Sequence, residues 1–370
     1  EFQFGTNWAA YSRFVGDIFG APLAAEGVFA FFLESSFLAI LLYGEKRVSR
    51  RVYWLASLLV AVGATLSAFW IVVANSWQQT PAGYHLVNGR AELTCFFDAV
   101  FNPSTLPRYS HVIAGALVAG TFFVMGVSAV LLLRRQHHAF AERALRSAAF
   151  PAFMSVLLVA VIGHHHAIQV AHTQPAKLAA FEGVWETGTG VPLLLFGLPD
   201  PEAERTDFAV SVPNLLSRAV GFSKDTRIQG LKDFPRVDRP PVRVTFCSFH
   251  AMIYSGCWFA LLSLWALVQS RCGVLSRSRA LLWALALTLP LPFVANEAGW
   301  IAAEVGRQPW VVQGLMRTKD AVSAAVPAGQ ILASSILFSL IYTLLFCVWI
   351  YLLKRQINQG PQPLAKEARS

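Results

Sequence analysis

The chain has 370 residues, of which 55% are hydrophobic and 14% are charged, and its mean hydropathy is +0.50. Soluble domains carry about 25% charged residues, so this composition excludes an ordinary soluble protein and indicates a membrane protein. The net charge of +9 is spread over short connections between apolar runs, which is typical of a membrane-topology signal and argues against binding to nucleic acid.

The hydrophobic residues form seven runs, each long enough to cross the ~30 Å hydrocarbon core of a bilayer. The pattern places these runs at about 20–44, 52–75, 108–133, 147–168, 245–270, 280–303 and 328–353. No repeat and no low-complexity tract interrupts them. We therefore predict an all-α fold, a polytopic transmembrane helix bundle that forms a single membrane domain over residues 1–370.

Basic residues follow alternate runs and predict the orientation of the bundle. They lie after the first, third, fifth and seventh runs, at 46–51, 134–146, 271–279 and 354–355. By the positive-inside rule these connections are cytoplasmic. Residue 1 and the other connections, 76–107, 169–244 and 304–327, are then outside.

The outer connection 169–244 differs from the others because it is long and rich in proline and charge. Long connections of this kind are often binding elements. Within it, the segment 174–187 has the pattern of an amphipathic helix, which we expect to lie on the membrane surface.

Carboxylates inside apolar runs are the first candidates for chemistry. Glu26 and Glu34 lie in the first run, ~12 Å apart along a helix and ~80° apart around it. Glu297 lies in the outer half of the sixth run. Buried acids need partners or an altered pKa, and these three can carry protons, ligate a metal or bind a substrate cation.

A histidine and a methionine occupy similar depths on two different helices. His111 lies near the outer end of the third run, and Met252 lies about two turns into the fifth. An imidazole and a thioether so placed can be the axial ligands of a low-spin, electron-transferring haem. The alternatives are core packing for Met252 and an interfacial position for His111.

Other polar groups give weaker indications. His164, His165 and His166 point about 100° apart on a helix, so we expect them to be interfacial rather than a metal site. The five cysteines are scattered without a C-x-x-C pair, which argues against zinc or iron–sulfur sites. In the stretch GRQPW, Arg307 can pair with a carboxylate or a haem propionate, whereas an Arg and a Trp at a helix end are also common at a membrane interface.

Several stretches together resemble one known family. They are the first 37 residues, LSAFWIVVANSWQQTP (66–81), KLAAFEGVWET (177–187) and NEAGWIAAEVGRQPW (296–310). In their order and along nearly the whole chain they resemble subunit I of cytochrome bd-type quinol oxidases of the short quinol-loop type. The resemblance implies that 169–244 is an extracytoplasmic quinol-binding loop.

The resemblance also implies an activity. The family comprises quinol:oxygen oxidoreductases of aerobic respiration, which oxidise quinol at the outer face and reduce O2 to water. They generate a proton motive force without pumping. The implied cofactors are a low-spin haem b, a high-spin haem b and a haem d. The implied partners are subunit II, a small single-span subunit and membrane lipid, in the bacterial cytoplasmic (inner) membrane.

Site residues carry over by position. By match, His111 and Met252 ligate the low-spin haem, and Glu297 ligates the high-spin haem b. Glu26 and Glu34 match acids of the oxygen-reducing site. Lys177 and Glu182 match quinol-binding positions of the family. Arg307, Trp310 and His250 match positions that support its haem sites.

Two departures from the family and three alternatives accompany this interpretation. His250 stands where the family often has Arg, and the family's helix with a further haem-ligating His is expected upstream of residue 1. The first alternative is a proton- or cation-coupled transporter, which usually shows internal repeats. The others are a haem b subunit of a different quinol oxidoreductase and a non-catalytic remnant.

Overall fold

A computed structural model describes residues 7–360 of the chain. It has seven helices that are long and apolar enough to cross a membrane, which confirms the predicted bundle. These spans are Ala9–Tyr43, Arg50–Gln79, Thr105–Leu133, His138–Thr173, Val242–Arg271, Arg279–Val305 and Ala328–Gln359. The predicted boundaries were wrong for the first and fourth spans, because polar turns at the outer end of the first span and at both ends of the fourth continue the helix beyond the apolar run.

The helices differ in length, and the long ones form the membrane spans. In chain order the helices are α1 Ala9–Ala25, a π-helix Glu26–Phe31, α2 Phe32–Tyr43, α3 Arg50–Gln79, α4 Phe96–Val100, α5 Thr105–Leu133, α6 His138–Thr173, α7 Pro175–Glu182, α8 Leu215–Gly221, α9 Val242–Arg271, α10 Arg279–Thr288, α11 Leu291–Val305 and α12 Ala328–Gln359. Short 3-10 turns occupy Leu231–Asp233, Arg236–Asp238 and Thr318–Asp320.

Three small hairpins add β-structure that the apolar periodicity did not predict. Each is an antiparallel pair in an outer connection: Tyr84–Val87 with Arg90–Leu93, Leu193–Asp200 with Arg205–Val212, and Trp310–Val312 with Met316–Arg317. The second hairpin pairs Leu193 with Val212 at its open end. All three lie on one side of the bundle, so they cover its predicted outer face.

The main core lies between the third, fourth, fifth and sixth spans. Its large members include Phe122, Met125, Leu145, Leu262 and Leu281. Alanines fill the contact between the third and fourth spans, and small side chains let membrane helices approach closely. By contrast, none of the described residues of α12 is buried.

The segment 174–187 does contain a helix, α7, but the prediction that it lies on the membrane surface was wrong. The helix begins at Pro175, which suits a first helical turn, and ends before Gly183, whose φ of 62° favours glycine. Its residues from Lys177 to Glu182 are all buried. They pack with Val170, Trp185, Leu231 and Val242 in a core of their own, which links the outer loop to the fifth span.

Candidate functional site

Lys177 lies in the middle of α7 with only 3% of its surface exposed. Its Nζ donates to Gln79 Oε1 at 2.8 Å and to Gln174 Oε1 at 3.2 Å. Burial, and then the Arg108 charge, hold the pKa of this ammonium well below its usual range. Among the described residues no carboxylate forms an ion pair with it, so its charge is compensated by amide oxygens.

Glu182 ends the same helix and is 6% exposed. Burial raises the pKa of its carboxyl group to about 8. Within residues 7–360 the side chain has no hydrogen-bond partner, which is uncommon for a buried polar group. An acid whose pKa lies close to neutrality can both accept and release a proton under physiological conditions.

Glu304 centres a buried polar cluster that sequence analysis missed. Its Oε1 accepts hydrogen bonds from Asn75 at 3.1 Å and Gln79 at 3.2 Å, and lies 3.5 Å from Nη2 of Arg108. Its Oε2 accepts a hydrogen bond from Arg307. We name these five residues the Glu304 cluster. The only signal in the sequence was a carboxylate three residues before Arg307, one helical turn away.

Arg307 and Trp310, both predicted to support a haem site, have different partners. Arg307 is buried and donates to Glu304 and to the carbonyl oxygen of Val311. Trp310 lies beneath the guanidinium of Arg317, 4.8 Å from its ring centroid. Arg307 therefore belongs to the Glu304 cluster, and Trp310 belongs to the adjoining hairpin.

Glu297 lies two turns before Glu304 on the sixth span and on nearly the same face, since seven residues rotate a helix by about 700°. It is exposed, and it lines a groove between the fifth and sixth spans with Arg243, Cys247 and Ser248. Among the described residues no group donates a hydrogen bond to its carboxylate. Its oxygens are therefore free to bind a further group.

His111 and Met252 are each tied to a neighbouring span through a glycine. A Cβ on Gly163 of the fourth span would lie 3.1 Å from Cε1 of His111, and a Cβ on Gly299 of the sixth would lie 2.8 Å from Sδ of Met252. The absence of side chains at both glycines makes room for the two candidate ligands.

One contact between the third and sixth spans relates the two ligands in depth. Gly115 packs against Asn296, whose Oδ1 would be 2.9 Å from a Cβ there. His111 lies one turn from Gly115 towards the outer end, and Gly299 lies about one turn from Asn296 in the same direction. His111 and Gly299, which adjoins Met252, therefore both lie on the outer side of the contact between Gly115 and Asn296.

The side chains of His111 and Met252 fit the ligation of a haem. The Nδ1 atom of His111 is buried without a hydrogen-bond partner, as expected where an imidazole has a further binding partner. An imidazole and a thioether are an established pair of haem ligands. His166 lies beside His111 with 5.9 Å between ring centroids, so it is not purely interfacial. In residues 7–360 no group of three or more His, Cys, Asp or Glu is arranged to hold a metal ion by itself.

Glu26 and Glu34 face the same stripe of the second span. Ser67 Oγ donates to Glu26 Oε1 at 2.7 Å, and a Cβ on Gly63 would lie 3.0 Å from the backbone nitrogen of Glu34. Gly63 and Ser67 are four residues apart, hence neighbours on one helix face. The π-helix Glu26–Phe31 produces this alignment, and π-helical turns are frequent at functional sites.

His250 lies on another side of the fifth span from Met252, because two residues rotate a helix by about 200°. Its ring nitrogens lie 3.1 Å from the carbonyl oxygens of Phe246 and Leu194. Leu194 belongs to the second hairpin. The structure therefore uses His250 to hold this hairpin against the fifth span.

Comparisons with known proteins agree over nearly the whole chain. Residues 1–361 match the family model described as cytochrome bd terminal oxidase subunit I. The chain is 38% identical over 372 residues to cytochrome bd ubiquinol oxidase subunit 1 of Bacillus subtilis, covering 98% of this chain and 80% of the relative. It is 34% identical over 435 residues to cytochrome bd-II ubiquinol oxidase subunit 1 of Escherichia coli, with coverage of 99% and 84%.

A solved structure has the same fold. It is the bd oxidase from Geobacillus thermodenitrificans, which superposes with a TM-score of 0.89 at 29% sequence identity. The match covers 97% of this chain and 82% of that chain.

Proposed function

The chain belongs to the cytochrome bd terminal oxidase subunit I family, and we propose that it oxidises a quinol beside Lys177 and Glu182 and passes the electrons inward to oxygen. It is a subunit of a terminal respiratory oxidase, a quinol:oxygen oxidoreductase in a multi-pass membrane bundle. The comparisons give the transporter alternative no support.

The observation that carries the proposal is Glu182, a buried carboxyl group that has no hydrogen-bond partner in the described part of the chain and whose pKa of about 8 suits proton exchange. A quinol becomes a stronger reductant when it loses a proton, so an acceptor at the quinol supports electron transfer. Glu182 accepts that proton in its ionised form. Lys177, five residues earlier on α7, donates a hydrogen bond to a quinol oxygen and orients the ring.

Haems supply the electron transfer in this family. His111 and Met252 would hold a low-spin haem b, which would supply reversible one-electron transfer. We assign Glu297 to a high-spin haem b because its carboxylate is free in a groove between two spans. The third group is a haem d.

We assign Glu26 and Glu34 to the proposed oxygen-reducing site, as carboxylates that relay protons inside the membrane. Their shared stripe on the second span, with Ser67 bonded to Glu26, gives two carboxylates that protons from the cytoplasmic side can reach in turn. Carboxylates within a membrane are typical of proton relays.

We place the chain in a bacterial inner membrane as one membrane domain, with residues 169–244 as its outer quinol loop. Subunit II, a small single-span subunit and lipid complete the assembly. The apolar surface of α12, none of which is buried among the described residues, suits contact with one of these or with lipid.

The decisive test replaces Glu182 by Gln in the complete oxidase. We expect quinol oxidation to fall about 10²- to 10⁴-fold, as for loss of a general base, while the dithionite-reduced spectrum is unchanged. Glu186→Gln is the control, because Glu186 is in the same loop but is exposed and paired with Lys232. Unchanged turnover in Glu182→Gln would contradict the proposed role.

The haem assignment has a separate spectroscopic test. Met252→Leu removes the thioether but keeps the size of the side chain. We expect the sharp low-spin band of the reduced-minus-oxidised spectrum to disappear. A retained band would show that Met252 is not a ligand.

A further inference from the structure

Gln79, the last residue of the second span, connects three parts of the outer site. It is 1% exposed. Its side-chain Oε1 accepts from Lys177, its Nε2 donates to Glu304 at 3.2 Å, and its backbone oxygen accepts from Gln174 Nε2 at 3.1 Å. The second span, the quinol helix α7 with its preceding residue, and the sixth span therefore meet at this one residue.

The orientation of the Gln79 amide is determined by chemistry. An ammonium group can only donate hydrogen bonds and a carboxylate can only accept them. The oxygen of the amide must therefore face Lys177, and its nitrogen must face Glu304. A flipped amide would place two donors together on one side and two acceptors together on the other.

Lys177 depends on this amide more than a surface lysine would. Its other acceptor, Gln174 Oε1, is farther away at 3.2 Å, and it has no carboxylate partner in the described part of the chain. Its stem packs against the turn after the sixth span, where a Cβ on Gly306 would lie 3.1 Å from Lys177 Cγ. The stem is thus held by packing, and the ammonium is held by Gln79.

We propose that Gln79 is a positioning residue for quinol oxidation, whose side-chain amide fixes the Lys177 ammonium and is itself fixed by Glu304. The inference rests on the proposed function, because it requires Lys177 to contact the quinol. Its consequence is that quinol affinity depends on a side chain that lies behind Lys177 rather than beside the substrate.

The test measures quinol oxidation by the complete oxidase complex, with a short-chain ubiquinol as the variable substrate at saturating oxygen. Gln79→Met keeps the length of the side chain and removes both side-chain hydrogen bonds. We expect the apparent KM to rise about tenfold, as for a lost hydrogen bond to a charged group. We expect kcat to stay within about twofold, because the lost interaction is made in ground state and transition state alike.

Gln78→Met is the matched control. Gln78 is also buried at the end of the same helix, but it donates to the hydroxyl of Tyr11. In residues 7–360 it makes no hydrogen bond to Lys177 or Glu304. An equal rise in KM in both variants would overturn the inference, because it would show a general effect of the helix end.

A double variant separates this inference from the proposed function. If Gln79 acts through Lys177, Gln79→Met has no further effect on KM once Lys177→Met is present. A second full rise in the double variant would overturn the inference. If Lys177→Met alone leaves KM unchanged, the proposed quinol contact itself is wrong.

If Gln79→Met does not assemble into the oxidase complex, Gln79→Glu provides a second test. It preserves the length and an acceptor oxygen for Lys177 but places its second carboxylate oxygen against Glu304, so we expect a KM between those of the parent and of Lys177→Met. A KM as high as that of Lys177→Met would overturn the inference. Haem spectra and gel filtration of each variant verify that the complex is intact.

Discussion

The hydroxyl group of Ser67 on the second span donates a hydrogen bond to the carboxylate of Glu26 on the first span, with 2.7 Å between the oxygens. One turn away on the same face, Gly63 lies against the backbone of Glu34. A regular α-helix would set the two carboxylates about 80° apart, but a π-helical turn takes up about one extra residue and reduces the offset to about 20°. The second span can thus hold both acids along one stripe.

Removing the hydroxyl group of Ser67 should disturb the Glu26 carboxylate and slow oxygen reduction. In Ser67→Ala we expect a slower rate of oxygen consumption, because the lost hydrogen bond, which contributes about 0.5–1.5 kcal/mol, orients the Glu26 side chain. Oxygen uptake at saturating quinol measures the effect. Ser57→Ala is the control, since Ser57 is an exposed serine on the same helix. Equal rates in the two variants would show that the bond is dispensable.

Gly299→Ala should displace the Met252 side chain while leaving its thioether chemically unchanged. The added Cβ would be 2.8 Å from the sulfur, so the thioether must move. We expect the low-spin haem band to shift or weaken in the reduced-minus-oxidised spectrum. Gly256→Ala on the fifth span meets no atom within 4 Å and should leave the band unchanged. A normal band in Gly299→Ala would argue against ligation by Met252.

The Glu304 carboxylate should stabilise the folded protein through its two arginine partners. Glu304→Leu removes the partner of Arg108 and Arg307. Loss of one partner from a buried ion pair costs several kcal/mol, reduced to about 2 here because 32% of the Glu304 side chain is exposed. Thermal unfolding of the purified oxidase should show a lower midpoint for Glu304→Leu and an unchanged midpoint for Ser57→Ala, a change at an exposed position.

Glu182 should make stability depend on pH. Its carboxyl has a pKa of about 8 in the folded chain, against 4.5 in the absence of burial. Between these values only the unfolded chain has lost the proton, so the free energy of unfolding falls as pH rises and levels off above about 8. Gln cannot ionise. The advantage of Glu182→Gln over the parent should therefore grow across this window.

Thermal midpoints at several pH values from about 4 to about 9.5, a range that includes both ends of the window, measure this difference. Below the window the two proteins should be equally stable. A constant difference at all pH values would mean that the carboxyl group titrates normally in the folded chain.

The sequence was sufficient for the bundle and for the family. Apolar runs of bilayer length have few alternatives to a membrane helix, and the seven spans are confirmed. The quoted motifs led to the same family as the comparisons. The assignments of His111, Met252, Glu297, Lys177 and Glu182 stay predictions, now with surroundings that support particular experiments.

What the sequence did not show depends on contacts between distant residues. Glu304 resembled an ordinary helix-end acid until the fold brought Asn75, Gln79 and Arg108 to it from two other spans. The helix α7 has an amphipathic pattern, yet its polar Lys177 is buried because glutamine side chains from elsewhere satisfy it. The π-helix has no strong composition signal, since its residues suit an α-helix equally well.

The π-helix between Glu26 and Glu34 also bears on how this segment tolerates changes in length. Deleting one residue from the stretch Glu26–Phe31 would allow a regular α-helix, which is the more favourable local backbone. The same deletion would leave Glu26 and Glu34 seven residues apart on a regular helix, which keeps the offset of about 20° between them. Substitutions in this stretch that favour a regular α-helix should therefore be more severe than the deletion, because only they restore the offset of about 80° between the two acids.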